Sequence, residues 1–93
     1  MESKSIATPS FKGYYYVYRL QSIHHHSFGY TGVTSNLHRR IQQHNRRKNP
    51  STAAYAPFDI CFAAAFPSKQ RALAFEAYLK SGSGHAFAKK RLW

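Results

Sequence analysis

A handful of side chains could do chemistry together if the fold brought them close. Two tyrosine-glycine clusters open the chain, Gly13-Tyr14-Tyr15 and Tyr30-Thr31-Gly32. Arg40 and His44 follow one turn apart in a helical pattern, and Glu76 stands alone inside a second one. A phenol, a guanidinium, an imidazole and one acid are the parts of a one-metal phosphodiesterase. The acid supply narrows the options. The chain holds 14 Lys+Arg against 3 Asp+Glu, and the acids are Glu2, Asp59 and Glu76. Two-metal nucleases and most glycoside hydrolases need converging carboxylates, which this chain cannot easily build. Cys61 is the only cysteine, so an internal disulfide and a cysteine-based zinc cluster are excluded.

The net charge of +11 attracts polyanions, of which nucleic acid is the commonest. No segment approaches the roughly 20 apolar residues of a spanning helix. The N-terminus has no apolar signal core, and a reducing, cytoplasmic, nucleoid-associated location is expected.

These groups must be positioned by one small domain, since 93 residues leave no room for two cores. Residues 1–12 read as a flexible polar tail and 13–93 as the domain. Residues 13–20 are aromatic and β-branched and predict a strand; 28–33 predict its hairpin partner across a polar loop, 21–29. Thr34, Ser35 and Asn36 are N-cap types, so a helix is expected to about residue 46. Residues 46–57 form a basic connection, 58–66 a third strand, and 69–80 a helix after Pro67-Ser68. Ser81-Gly82-Ser83-Gly84 is expected to break that helix, with a short basic helix over 85–93. The fold class is α+β, a three-stranded, mostly antiparallel sheet flanked by helices in the order β-β-α-β-α-α.

Helical phase sorts neighbouring charges. At roughly 100° per residue, Leu37, Arg40, Ile41 and His44 share one side, while Arg39, Gln42 and Arg46 fall away from it. Arg39 is therefore a solvated charge and Arg40 a boundary one. In the second helix Ala72, Phe75, Glu76 and Leu79 share a side. A glutamate on an apolar stripe needs a partner, either a metal ion or a basic residue.

In order and spacing these residues resemble the GIY-YIG endonuclease family. Gly13-Tyr14-Tyr15 is similar to its first motif and Tyr30-Thr31-Gly32 to its second. Arg40 stands at the position of its arginine, His44 at that of a histidine one turn later, and Glu76 at that of its glutamate. The resemblance covers residues 13 to 92. It implies hydrolysis of DNA phosphodiesters by an endonuclease or nickase, in repair or on branched DNA, with weak sequence preference. One divalent ion, Mg²⁺ or Mn²⁺, would be held by Glu76 as a Lewis acid. Tyr15 or Tyr30 would take a proton from water, Arg40 would stabilise the phosphate, and His44 would orient Tyr30 or relay its proton. Tyr16 and Tyr18 are read as packing. Arg39, Arg46, Arg47, Lys48, Lys80, Lys89, Lys90 and Arg91 would hold the nucleic-acid backbone. The chain departs from the pattern at two places. His24-His25-His26 lengthens the hairpin loop, and Ala88 stands where many members have an asparagine. Lys80, Ser83 or Lys89 would have to replace that contact. A catalytically inactive DNA- or RNA-binding module is the alternative, and a protein-interaction domain a third. Monomer and homodimer both remain open.

Overall fold

A computed structural model describes residues 12–93. Apart from Lys12, the expected N-terminal tail lies outside the described residues. The elements are β1 (Tyr15–Ser22), β2 (Gly29–Thr34), α1 (Leu37–Asn45), a 3₁₀ turn at Ala53–Tyr55, β3 (Phe58–Phe66), α2 (Lys69–Lys80) and α3 (Gly82–Arg91). The order β-β-α-β-α-α is the one the sequence predicts. The sheet is antiparallel with strand order β2-β1-β3, so β1 is its central strand.

The position of β1 explains its sequence. A central strand with helices on both faces is buried on both, so it reads as a continuous apolar run rather than an alternating one. Tyr16, Tyr18 and Leu20 pack on one face with Leu37, Ala56 and Phe58. Val17 packs on the other with Ala72, Leu79 and Ala88. Tyr15 joins this second cluster, beside Phe66 and Phe75. The second face also holds Arg19, whose guanidinium donates to Thr31 Oγ1 at 3.0 Å and lies 4.5 Å over the Trp93 ring. Leu79 is 2% exposed, so its truncation to Ala would cost roughly 2–5 kcal/mol.

Each helix starts on a side-chain cap. Asn36 Oδ1 accepts from the Arg39 amide at 3.0 Å and Ser68 Oγ from the Arg71 amide at 3.2 Å. The last helix differs from the sequence expectation. The segment 81–84 is not a four-residue break, because α3 begins at Gly82 with Ser81 as its cap. Ser81 also ends α2, its amide bonding the Tyr78 carbonyl at 3.0 Å. One residue thus closes one helix and opens the next. Gly84 makes the corner feasible, since a Cβ there would overlap the Tyr78 carbonyl.

The other end of the sheet is tied by polar clips. Asn45 pairs with Phe58 as a strand would, accepting from its amide at 2.7 Å and donating to its carbonyl at 3.4 Å. Ser22 Oγ donates to the Tyr55 carbonyl at 2.6 Å. Phe28 stacks on Tyr55 with centroids 3.9 Å apart. These contacts seat the 46–57 connection over the end of the Tyr18 face.

Candidate active site

The geometry centres on Tyr18. Its ring faces α1, and in the β1–β2 register Tyr18 sits opposite Gly32. A Cβ on Gly32 would meet the Tyr18 hydroxyl at 2.5 Å, so the glycine is the space the ring occupies. The hydroxyl contacts His44 Nε2 at 2.9 Å, and His44 Nδ1 contacts Thr52 Oγ1 at 2.8 Å. All three side chains are fully buried. Thr52 donates its own proton to the Asn49 carbonyl at 3.4 Å, so its oxygen accepts from Nδ1–H. That assigns the tautomer: Nε2 carries the lone pair, and the Tyr18 hydroxyl donates to it.

Three further groups surround this chain of hydrogen bonds. The half-buried Tyr30 ring lies 5.0 Å from His44 and 6.3 Å from Tyr18. Arg40 and Glu76 both act on Tyr18 electrostatically. Burial above all, then Tyr30 and Glu76, push the Tyr18 phenol well above the ordinary tyrosine value, while the Arg40 charge pulls it down. Burial, with Arg40 adding to it, holds His44 below the ordinary histidine range. The resting pair is therefore a protonated phenol on a neutral imidazole.

Helical phase places the remaining groups. Arg40 is half-buried while Arg39 is exposed. Arg40 lines two polar clefts. One is shared with Thr34, Ser35, Asn36, Arg39 and Gln43, the other with Gln43, Lys48, Asn49 and Pro50. Glu76 is only 20% exposed and accepts from Lys80 at 3.0 Å across one helical turn. Such a pair is worth only about 0.3–0.5 kcal/mol, little holding force against a competing ion.

A family model for the GIY-YIG catalytic domain matches residues 14–90. The chain belongs to the GIY-YIG catalytic domain family. No curated protein matches it. GIY-YIG domains are generally endonucleases that bind nucleic acid and use a divalent metal ion, and the fold described above is theirs. No helix among the described residues is long and apolar enough to cross a membrane.

Three of the five expected site residues, Tyr30, Arg40 and His44, gather about Tyr18, and Glu76, from α2 on the far face of β1, reaches it electrostatically. Tyr15 is not brought there. Alternation along β1 sends it to the face of α2 and α3, where it packs against apolar side chains. Tyr18, read from sequence as packing, occupies the position instead. The tyrosine that faces Tyr30 belongs to Tyr16-Val17-Tyr18, and Gly13 precedes the matched stretch by one residue. Sequence reasoning also missed Thr52. It lies in an irregular connection without periodicity, and nothing local marks it.

Two basic residues have structural work. Arg47 donates to the Ala53 carbonyl at 2.6 Å and to the Ala56 carbonyl at 3.3 Å, so its guanidinium straps the connection rather than facing solvent freely. Lys80 pairs with Glu76 and is the only one of Lys80, Ser83 and Lys89 to contact it. Arg39, Arg46, Lys48, Lys89, Lys90 and Arg91 are exposed. Ala88 is completely buried in the second core cluster, so apolar packing rather than a polar contact fills that position. His24, His25 and His26 are exposed, His25 edge-on to Tyr55 at 5.4 Å. No group of three or more metal-ligating residues occurs among the described residues. Glu76 would offer an ion a hard carboxylate oxygen, the donor type that suits Mg²⁺ or Mn²⁺.

Proposed function

We propose that this chain is a metal-dependent endonuclease that hydrolyses DNA phosphodiesters with little sequence preference, nicking or acting on branched DNA. The observation that carries the reading is the buried relay Tyr18–His44–Thr52 with Arg40 and Glu76 beside it. Glu76 would hold one divalent ion, which when bound supplies a Lewis acid to the phosphate and leaving oxygen. Tyr18 cannot stand as a phenolate in its buried setting. It can instead pass its proton to His44 Nε2 as it accepts one from the attacking water. The water oxygen then bonds to phosphorus as the bond to the leaving oxygen breaks. Thr52 holds Nδ1–H, so the lone pair that receives the proton faces Tyr18. Arg40 meets the charge that grows on the phosphate oxygens. Tyr30 flanks the imidazole and limits its movement. Exposed Arg39, Arg46, Lys48, Lys89, Lys90 and Arg91 would hold the phosphate backbone without reading bases.

Purified protein with Mg²⁺ or Mn²⁺ is expected to nick supercoiled plasmid or cut branched substrates. Glu76→Gln and Tyr18→Phe should each lower the rate by about 10²-fold or more, whereas Tyr15→Phe should leave it near wild type. Cutting that persists in Glu76→Gln would overturn the assignment. Salt-sensitive binding of DNA or RNA without any cleavage would favour an inactive binding module.

A further inference from the structure

One surface is explained neither by the two cores nor by the candidate active site. Tyr78 on α2 and Phe87 on α3 are 43% and 44% exposed, and their ring centroids lie 6.4 Å apart. Neither ring belongs to a core cluster. A single exposed aromatic side chain is ordinary, but two adjoining ones on different helices form a patch that burial does not require. Their surroundings are cationic. Arg71 lies seven residues before Tyr78 on the same side of α2, with the small, exposed Ala74 between them. Lys90 and Arg91 lie three and four residues after Phe87 on α3, both exposed. Of the two acids among the described residues, Glu76 is on the other side of α2 and paired with Lys80.

We propose that the Tyr78–Phe87 pair, flanked by Arg71, Lys90 and Arg91, is a base-stacking platform for an unpaired strand of nucleic acid. Ring faces receive bases of any sequence, while neighbouring cations track the phosphates, and duplex bases offer no free face to them. The complementarity of this cationic rim to a polyanion selects nucleic acid over an apolar partner. Glu76 and Tyr78 lie on opposite sides of α2, a helix diameter of about 10–12 Å apart. A strand passing round the helix covers about half its circumference, roughly 16–19 Å, or about five nucleotide steps at 3.4 Å per step. A strand leaving the active site would reach the platform within a few nucleotides. The proposal rests on the endonuclease reading for its polymer and narrows the substrate to DNA with a single-stranded arm or gap.

The test is binding, measured in EDTA so that no cleavage occurs. Fluorescence anisotropy would compare a labelled oligo-dT strand with a labelled duplex of equal length, at low salt. Tyr78→Ala and Phe87→Ala should each weaken single-strand binding roughly 5- to 100-fold while changing duplex binding less than about twofold. Phe87→Trp should keep single-strand affinity. Phe87→Leu, apolar but without a ring face, should lose it even if Phe87→Ala proves unstable. Equal losses on both ligands, or no loss on either, would overturn the proposal. So would sedimentation of the wild type as a dimer that Phe87→Leu converts to monomer, which would make the patch a self-interface. A protein that never cuts yet shows this selective loss would sink the endonuclease reading alone. An active protein indifferent to both rings would sink the platform alone.

Discussion

His44 is held between two hydroxyls, and each has a different task. Tyr18 offers a proton to Nε2 at 2.9 Å; Thr52 accepts from Nδ1 at 2.8 Å. Removing the acceptor leaves a buried N–H unpaired, so Thr52→Val should destabilise the fold by about 1–3 kcal/mol. The imidazole also makes stability pH-dependent. Its folded pKa lies below the ordinary 6.5, through burial and then Arg40. Below pH 6.5 the unfolded chain therefore binds a proton that the folded chain refuses. Stability is fully present above that pH and falls as the pH drops, by up to about 1.4 kcal/mol per unit. Tyr18, Tyr30, Arg40, Thr52 and Phe58 surround the ring, and none of them offers a carboxylate to stabilise the imidazolium. Thermal melts between pH 7 and 5 should show a fall in Tm that flattens in His44→Gln; an equal fall in both proteins would refute it.

At the scale of elements, the end of α1 carries an unusual residue for its geometry. The Lys48 amide bonds the Gln43 carbonyl and the Arg47 amide bonds that of His44, a Schellman ending. The left-handed position, normally glycine, is Arg47 with φ 62°. Its guanidinium bonds to the Ala53 and Ala56 carbonyls offset the strain. Arg47→Gly relieves the backbone while losing those bonds and should melt close to wild type. Arg47→Ala keeps the strain and loses the bonds, so it should be less stable than Arg47→Gly by about 1 kcal/mol in urea denaturation. Identical midpoints for the two variants would remove the strain argument. Legibility in the sequence follows the same line. The extents of β3 and α2 were readable from an apolar run and from the Pro67-Ser68 start and the serine-glycine stop, and the sides of α1 and α2 from helical phase. The start of α3 was not, because one serine both ends and caps. Nor was Tyr18 separable from Tyr14, Tyr15 and Tyr16, since in a strand buried on both faces only the pairing with Gly32 tells the faces apart. Thr52 and the Arg47 strap belong to an irregular segment, where composition carries no geometry.

For the whole molecule, the charge of +11 is not one undifferentiated field. Arg47 is tied to carbonyls, Lys80 to Glu76, and Arg19 is partly buried against Trp93. The exposed charges that remain include Arg39 of α1, Arg46 and Lys48 just beyond it, Arg71 of α2, and Lys89, Lys90 and Arg91 in the last turn of α3. Each cation that neutralises a duplex phosphate releases a condensed counterion and adds about −0.9 to the slope of log affinity against log salt. The slope therefore counts working cations rather than total charge. Replacing Lys89, Lys90 and Arg91 by Gln should reduce its magnitude by nearly one for each residue that touches a phosphate, and weaken duplex binding across unrelated sequences alike. Arg47→Gly should leave the slope unchanged. Anisotropy titrations from 50 to 200 mM salt would read both. A slope that falls as much for Arg47→Gly as for an α3 lysine would mean that affinity follows net charge alone, and that the division between tied and free cations has no bearing on binding.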